Sequence, residues 1–192
     1  QLGLWAVREA CSQLAQWRRQ GLVIPSVSVN LSPTNFHNLD LPGMIAQTLE
    51  QNRLQPSDLT LEITESVLLD TNPSTLKTLD EVHNQGIRLS MDDFGTGYSS
   101  LSYLRRLPIQ ELKLDRSFVL DLEQDATNQA LSEAVIRLGE SLHLTVVAEG
   151  VENHGQQRIL QQQRYHMGQG YPFSRPLSAA DLESWLRSVS ED

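Results

Sequence analysis

The sequence predicts an α/β fold of the β/α-barrel type, and three observations carry that expectation. Six short apolar runs, VSVN, LTLE, LSMDD, LKLD, TVVAE and MGQGY, each end on or carry a polar or acidic residue. Counted between Asn30, Glu62, Asp92, Lys113, Glu149 and Gln169, the steps are 32, 30, 21, 36 and 20 residues. That is the length of a strand, a crossover helix and two turns, and parallel strands need such a crossover. The intervening stretches show helical spacing of apolar residues. In a β/α barrel the C-terminal strand ends converge on one face, where active sites lie. Acids remote in sequence are therefore expected to meet.

The elements follow in order. Leu4, Val7, Cys11, Leu14 and Trp17 recur at helical spacing and Gly21 follows as a stop, so the chain opens on a helix from Leu2 to Arg19. Strand Val27 to Leu31 comes next, then a turn-rich stretch to Asp40 and a helix from about Pro42 to Arg53 with Met44, Ile45 and Leu49 on one face. Strand Leu59 to Thr64 precedes a helix that Pro73 starts and Gly86 closes, with Leu76, Leu79 and Val82 as its apolar stripe. Strand Ile87 to Met91 runs into DDFGTGYSSL and a short helix through Tyr103 and Leu104, which Pro108 ends. Strand Glu111 to Leu114 leads to a long helix from about Asn128 to Leu142 carrying Leu131, Val135 and Leu138. Strand Leu144 to Ala148, a helix near Gly155 to Gln163 and the strand around Gln169 follow. Ser178 and Asp181 then cap a final helix through Trp185. Six strands are too few to close a barrel of eight, so about two strands are expected upstream of Gln1, and the 192 residues are read as one domain.

Composition narrows the function. A net charge of −9 argues against a DNA or RNA duplex as partner, because such grooves neutralise many phosphates with Lys and Arg. No apolar stretch reaches the roughly 18 to 20 residues of a membrane span. The single cysteine cannot form an intrachain disulfide and no secretory signal is visible, which makes the cytoplasm the expected setting.

The acids at strand ends carry the chemistry. Several carboxylates with an amide oxygen are hard ligands suited to Mg²⁺ or Mn²⁺, while the five histidines show no paired zinc spacing. Of the adjacent pair Asp92 and Asp93, one can bridge two ions while the other holds the second, an arrangement that serves phosphoryl chemistry. Lys113, inside an apolar strand, can neutralise a carboxylate, orient water or bind a phosphate oxygen. Blander readings stand beside these. Asn30 and Asp115 suit turn caps, Glu149 suits an exposed loop, and Lys113 suits a surface lysine with a buried stem.

In order and spacing, VSVNLSP, LEITES, MDDFGTGYSSLSYL, KLDRSFV, VVAEGVE and QGYPFSRPL resemble the EAL family of cyclic di-GMP phosphodiesterases. The resemblance implies a modified TIM (β/α)8 barrel with an antiparallel first strand, about six of whose eight strands are present. It also implies hydrolysis of cyclic di-GMP to linear pGpG with two Mg²⁺ or Mn²⁺ ions. By matching motif, Asn30, Glu62 and Asp92 are the expected ligands of one metal, and Asp92, Asp93 and Glu149 those of the other. Lys113 and Gln169 match residues at the catalytic water. Glu65 matches the glutamate that braces the DDFGTGYSS loop, which is tied to dimerisation and to regulatory domains upstream, and Asp115 supports the lysine strand. The Glu-Ala-Leu segment that names the family, with its own metal-ligating glutamate, is absent, and VREACSQL does not match it. A catalytically inactive cyclic di-GMP receptor or regulatory module is therefore the alternative. An enolase-type barrel also places acids at strand ends, but leaves DDFGTGYSS without a role.

Overall fold

The computed structural model describes residues 2–70, 72–97 and 104–189. Six strands form one sheet in the order β1-β2-β3-β4-β5-β6, interleaved with helices. The chain divides into two compact units, residues 1–61, 72–88 and 176–192 in the first and residues 62–71 and 89–175 in the second.

In the first unit, helix α1 (Leu2–Arg19) buries Val7, Cys11, Leu14, Ala15 and Trp17, the predicted stripe. It closes through the Gly21 N–H on the Arg18 carbonyl and the Leu22 N–H on that of Trp17. The Arg18 guanidinium then donates to the carbonyls of Ile24 and Pro25 and, as a fork, to both carboxylate oxygens of Asp58 at 2.8 and 2.9 Å. One side chain thus fixes the approaches to β1 (Val27–Leu31) and β2 (Leu59–Thr64). Helix α2 (Leu41–Asn52) turns Ile45, Thr48 and Leu49 inward and ends on Arg53 in the left-handed region. Asn72 caps helix α3 (Pro73–Asn84) by accepting the Ser74 N–H. The buried face of α3 is Thr75, Thr78, Leu79 and Val82, and Leu76 stands 51% exposed, so the predicted stripe is rotated away from Leu76. Helix α7 (Ala179–Val189) starts at Ser178, whose Oγ accepts the Asp181 N–H, as the capping pattern predicts.

In the second unit, β3 (Arg88–Phe94, whose Arg88 belongs to the first), β4 (Glu111–Leu114), β5 (Thr145–Val151) and β6 (Met167–Gly170) pair in parallel. Strands β3 and β5 run three residues beyond the expected strand ends Met91 and Ala148, so their acids lie inside the strands. Helices α4 (Arg116–Leu120), α5 (Ala126–Leu142) and α6 (His154–Gln162) follow them in the chain. The core gathers Leu114, Val119, Leu122, Ala148, Val151 and Leu160, with Phe118, Val135, Ile159 and Tyr165 packed against it. Helix α5 also departs from expectation: Leu131 is 43% exposed, and the buried face is Ser132, Ile136 and Gly139. Close packing selects that face, since a Cβ on Gly139 would stand 2.1 Å from the Val146 side chain. The Ser132 hydroxyl lies within hydrogen-bond reach of Gln163 Oε1 and the Tyr165 hydroxyl, and Tyr165 donates to the Ser132 carbonyl. Helix α4 and the 3-10 turns Pro33–His37, Pro56–Asp58 and Glu65–Leu69 were not predicted, being too short for a periodic signal. The expected short helix at Tyr103 lies outside the described residues. Among the described residues no helix is long and apolar enough to cross a membrane.

Candidate metal centre

Two interruptions of the ladder build the site. Met91 pairs with Leu112 and Phe94 with Leu114, so Asp92 and Asp93 together oppose the single residue Lys113. Ala148 pairs with Gly168 and Val151 with Gly170, so Glu149 and Gly150 together oppose Gln169. These are β-bulges, which re-aim side chains that strict alternation would send to opposite faces. Asp93 takes the left-handed conformation (φ 55°), rare for a residue with a side chain, and its N–H donates to Asp92 Oδ1 at 3.1 Å. Gly150 is left-handed as well (φ 67°), and a Cβ there would stand 2.2 Å from Arg116 Cγ. Arg116 lies over this bulge and pairs with Glu152.

Lys113 is only 5% exposed, which excludes the surface-lysine reading. Its Nζ lies 2.5 Å from Glu149 Oε1, 3.0 Å from Glu62 Oε1 and 3.3 Å from Asp92 Oδ1. Burial alone would lower its pKa, but the hydrogen bond it donates to Glu149 and the charge of Glu62 outweigh burial and hold the ammonium well above the ordinary lysine range. The expected acids Glu62, Asp92 and Glu149 thus share one cation.

Around that ammonium the negative charge is in excess. Burial first, then Asp92 and Asp115, push the Asp93 carboxyl up. Burial also raises Glu149, and the repulsion of Asp92 and Glu62 helps to keep it raised against the pull of Lys113. Two unit charges 4 Å apart repel by about 4 kcal/mol in a protein-like medium, so one ammonium does not balance this set. Asp92, Asp93 and Glu149 each offer an oxygen within 4.8 Å of the others, a group of hard ligands able to hold a divalent ion. Donor chemistry and unbalanced charge both fit such a cation.

The other expected residues divide. Glu65 is buried, and its Oε2 accepts the Gly97 N–H at 3.0 Å, which ties the start of the DDFGTG loop to the turn after β2. Residues 98–103 of that loop lie outside the described residues. Glu65 and Asp93 line one cavity of about 240 Å³. Asp115 caps α4, its Oδ1 accepting the Ser117 N–H at 2.9 Å, so the turn-cap reading holds, and its carboxylate also neighbours Asp93. Gln169 is exposed on β6, two strands from Lys113. Asn30 is exposed on β1 in the first unit. Arg116 carries no signal in the sequence, where it is an ordinary basic residue after a strand.

The EAL domain model matches residues 1–176. The chain belongs to the EAL domain family. Among its EAL relatives, the cyclic di-GMP phosphodiesterase NbdA of Pseudomonas aeruginosa is 41% identical over 192 residues, covering 100% of this chain and 24% of NbdA. The chain spans about a quarter of the length of the curated relatives it matches. Among solved EAL structures, the PaMucR phosphodiesterase (MucR of Pseudomonas aeruginosa) in complex with c-di-GMP superposes with a TM-score of 0.87 at 40% identity, covering 94% of this chain and 73% of that one. The manganese/c-di-GMP complex of Klebsiella pneumoniae BlrP1 gives 0.82 at 33% identity, covering 91% and 44%. The fold is thus the α/β one predicted, a partial TIM-like β/α barrel of the EAL type with six strands among the described residues.

Proposed function

We propose that this EAL chain is a metal-dependent phosphodiesterase that hydrolyses cyclic di-GMP to linear pGpG in bacterial signalling. One observation carries the reading: Asp92, Asp93 and Glu149 share a potential cation position beside the buried ammonium of Lys113. NbdA and MucR, named as phosphodiesterases, and BlrP1, solved with manganese and the dinucleotide, support the choice of substrate and ion.

Glu62, Asp92, Asp93 and Glu149 would hold two Mg²⁺ or Mn²⁺ ions, and Asn30 joins them on the family resemblance alone. Such ions supply charge for both the attacking and the leaving oxygen of a phosphodiester. Lys113, kept protonated, donates hydrogen bonds only, which suits it to orient the attacking water or a phosphate oxygen and not to remove a proton. Gln169, opposite the Glu149 bulge, is assigned to positioning that water. Glu65, through Gly97, steadies the loop that continues from Asp92 and Asp93. Pairing of two copies, control by further domains and a cytoplasmic setting belong to the same reading.

Purified protein is incubated with cyclic di-GMP and Mn²⁺ or Mg²⁺, and the products are separated by anion exchange. Formation of pGpG, reduced at least about a hundredfold by Lys113→Ala, is the expected result. Dinucleotide binding without turnover would establish the receptor alternative, and neither binding nor turnover would remove the substrate assignment.

A further inference from the structure

What fixes Glu149 against Lys113 is itself a structural question, because the bulge at Glu149 and Gly150 interrupts the ladder that would otherwise do it. The chain leaving the bulge is caught by Gln156, 2% exposed on the first turn of α6. Its Oε1 accepts the N–H of Glu152 at 2.7 Å and that of Asn153 at 3.3 Å. Its Nε2 donates to the Leu120 carbonyl at 2.9 Å. Leu120 is the last residue of α4, whose terminal carbonyls have no partner within the helix. Helix α4 begins three residues after Lys113, and Glu152 stands three residues after Glu149.

We infer that Gln156 is a positioning residue for the Lys113–Glu149 pair: its amide joins the segment after Glu149 to the helix after Lys113 and so sets the place of Glu149 in the cation site. The inference rests on the metal-binding reading above. The second strut between the same segments, Arg116 paired with Glu152, lies exposed to solvent, whereas the Gln156 link is buried and directional. Both polar atoms of the Gln156 amide are engaged, accepting on one side and donating on the other, which neither a leucine nor an ionised carboxylate can do.

A cap alone would also make Gln156 important, since it is half of the capping box that starts α6. Asn153→Ala separates the roles. It removes the other half of the box, the side chain that accepts the Gln156 N–H, and leaves the Leu120 link intact. Mn²⁺ binding to the purified protein is measured by calorimetry for wild type, Asn153→Ala, Gln156→Leu and Gln156→Glu. Loss of the link is expected to weaken Mn²⁺ binding about tenfold or more in both Gln156 variants, while Asn153→Ala lowers the melting temperature with Mn²⁺ affinity unchanged. In Gln156→Glu the new carboxylate opposes the Leu120 carbonyl, and its protonation restores a donor. Relative to wild type at the same pH, its Mn²⁺ affinity therefore recovers towards pH 5. If Gln156→Leu does not fold, Gln156→Glu decides alone. Wild-type binding with equal affinity in the folded Gln156 variants overturns the positioning role and leaves the metal reading standing. No Mn²⁺ binding by wild type overturns both.

Discussion

Lys113 Nζ and Glu149 Oε1 stand 2.5 Å apart on neighbouring strands, and Lys113 is the one cation within reach of Glu62, Asp92 and Glu149 among the described residues. Removing one partner of a buried pair leaves the other uncompensated, at a cost of about 3–5 kcal/mol. Lys113→Met is therefore expected to lower stability by that order in chelator, measured by urea unfolding. Added Mn²⁺ should recover part of the loss by supplying the missing positive charge, and no recovery would contradict the shared site.

Gly150 combines a left-handed backbone with the stem of Arg116 lying where a side chain would begin. Gly150→Ala should destabilise by about 1–3 kcal/mol. In the double variant with Arg116→Ala the contacts to Cγ and Cδ disappear while the 2.7 Å approach to Cβ and the backbone part remain, so the two changes should be non-additive in a urea double-mutant cycle.

The Arg18–Asp58 clasp predicts an acid limb. Chiefly through its hydrogen bonds from Arg18, Asp58 is held below the ordinary carboxylate range. Its contribution is fully present above its unfolded pKa of about 3.9 and is lost as pH falls through the lower folded value. Asp58→Asn should cost about 1–3 kcal/mol at pH 7, and the difference from wild type should shrink as the pH falls below about 4. Urea midpoints across that range measure it, and a difference independent of pH would refute it.

Cys11 is fully buried, and burial together with the charge of Asp58 pushes its thiol up to about 11. A disulfide reagent at pH 8 should leave the native protein unmodified and label it only as fast as it unfolds. Rapid labelling under native conditions would place Cys11 nearer the surface.

The face of α5 is open to a direct comparison. Ile136→Ala removes a buried side chain and should cost about 2–4 kcal/mol, whereas Leu131→Ala, at an exposed position, should fall within about 0.5 kcal/mol. A larger loss in Leu131→Ala than in Ile136→Ala would mean that the stripe read from the sequence is the packed one.

These cases show what was legible and why. Apolar runs separated by crossover lengths gave the strands, because burial on both sides leaves a continuous signature in the residues themselves. Acids at the ends of those runs marked Glu62, Asp92, Asp93 and Glu149. That Asp92 and Asp93 share one target is legible in the pair itself, but the means is not, since adjacent strand residues ordinarily diverge and the bulge that reunites them has no compositional mark. The faces of α3 and α5 were misread at Leu76 and Leu131 because Thr75, Thr78, Ser132 and Gly139 pack inward, and small or hydroxylated residues do not register as apolar. Gln156 was invisible for a similar reason: it sits among the glutamines of GQQRILQQQ, and only its burial distinguishes it.

Two strands of this sheet carry one residue more than an unbroken pairing needs. A chain shortened by Asp93 or by Gly150 would zip its strands without a gap and gain regularity there, while losing Asp93 outright or the bulge that aims Glu149. Durability and chemistry thus make opposite demands on the same two positions, and selection for heat resistance alone would be expected to erase them.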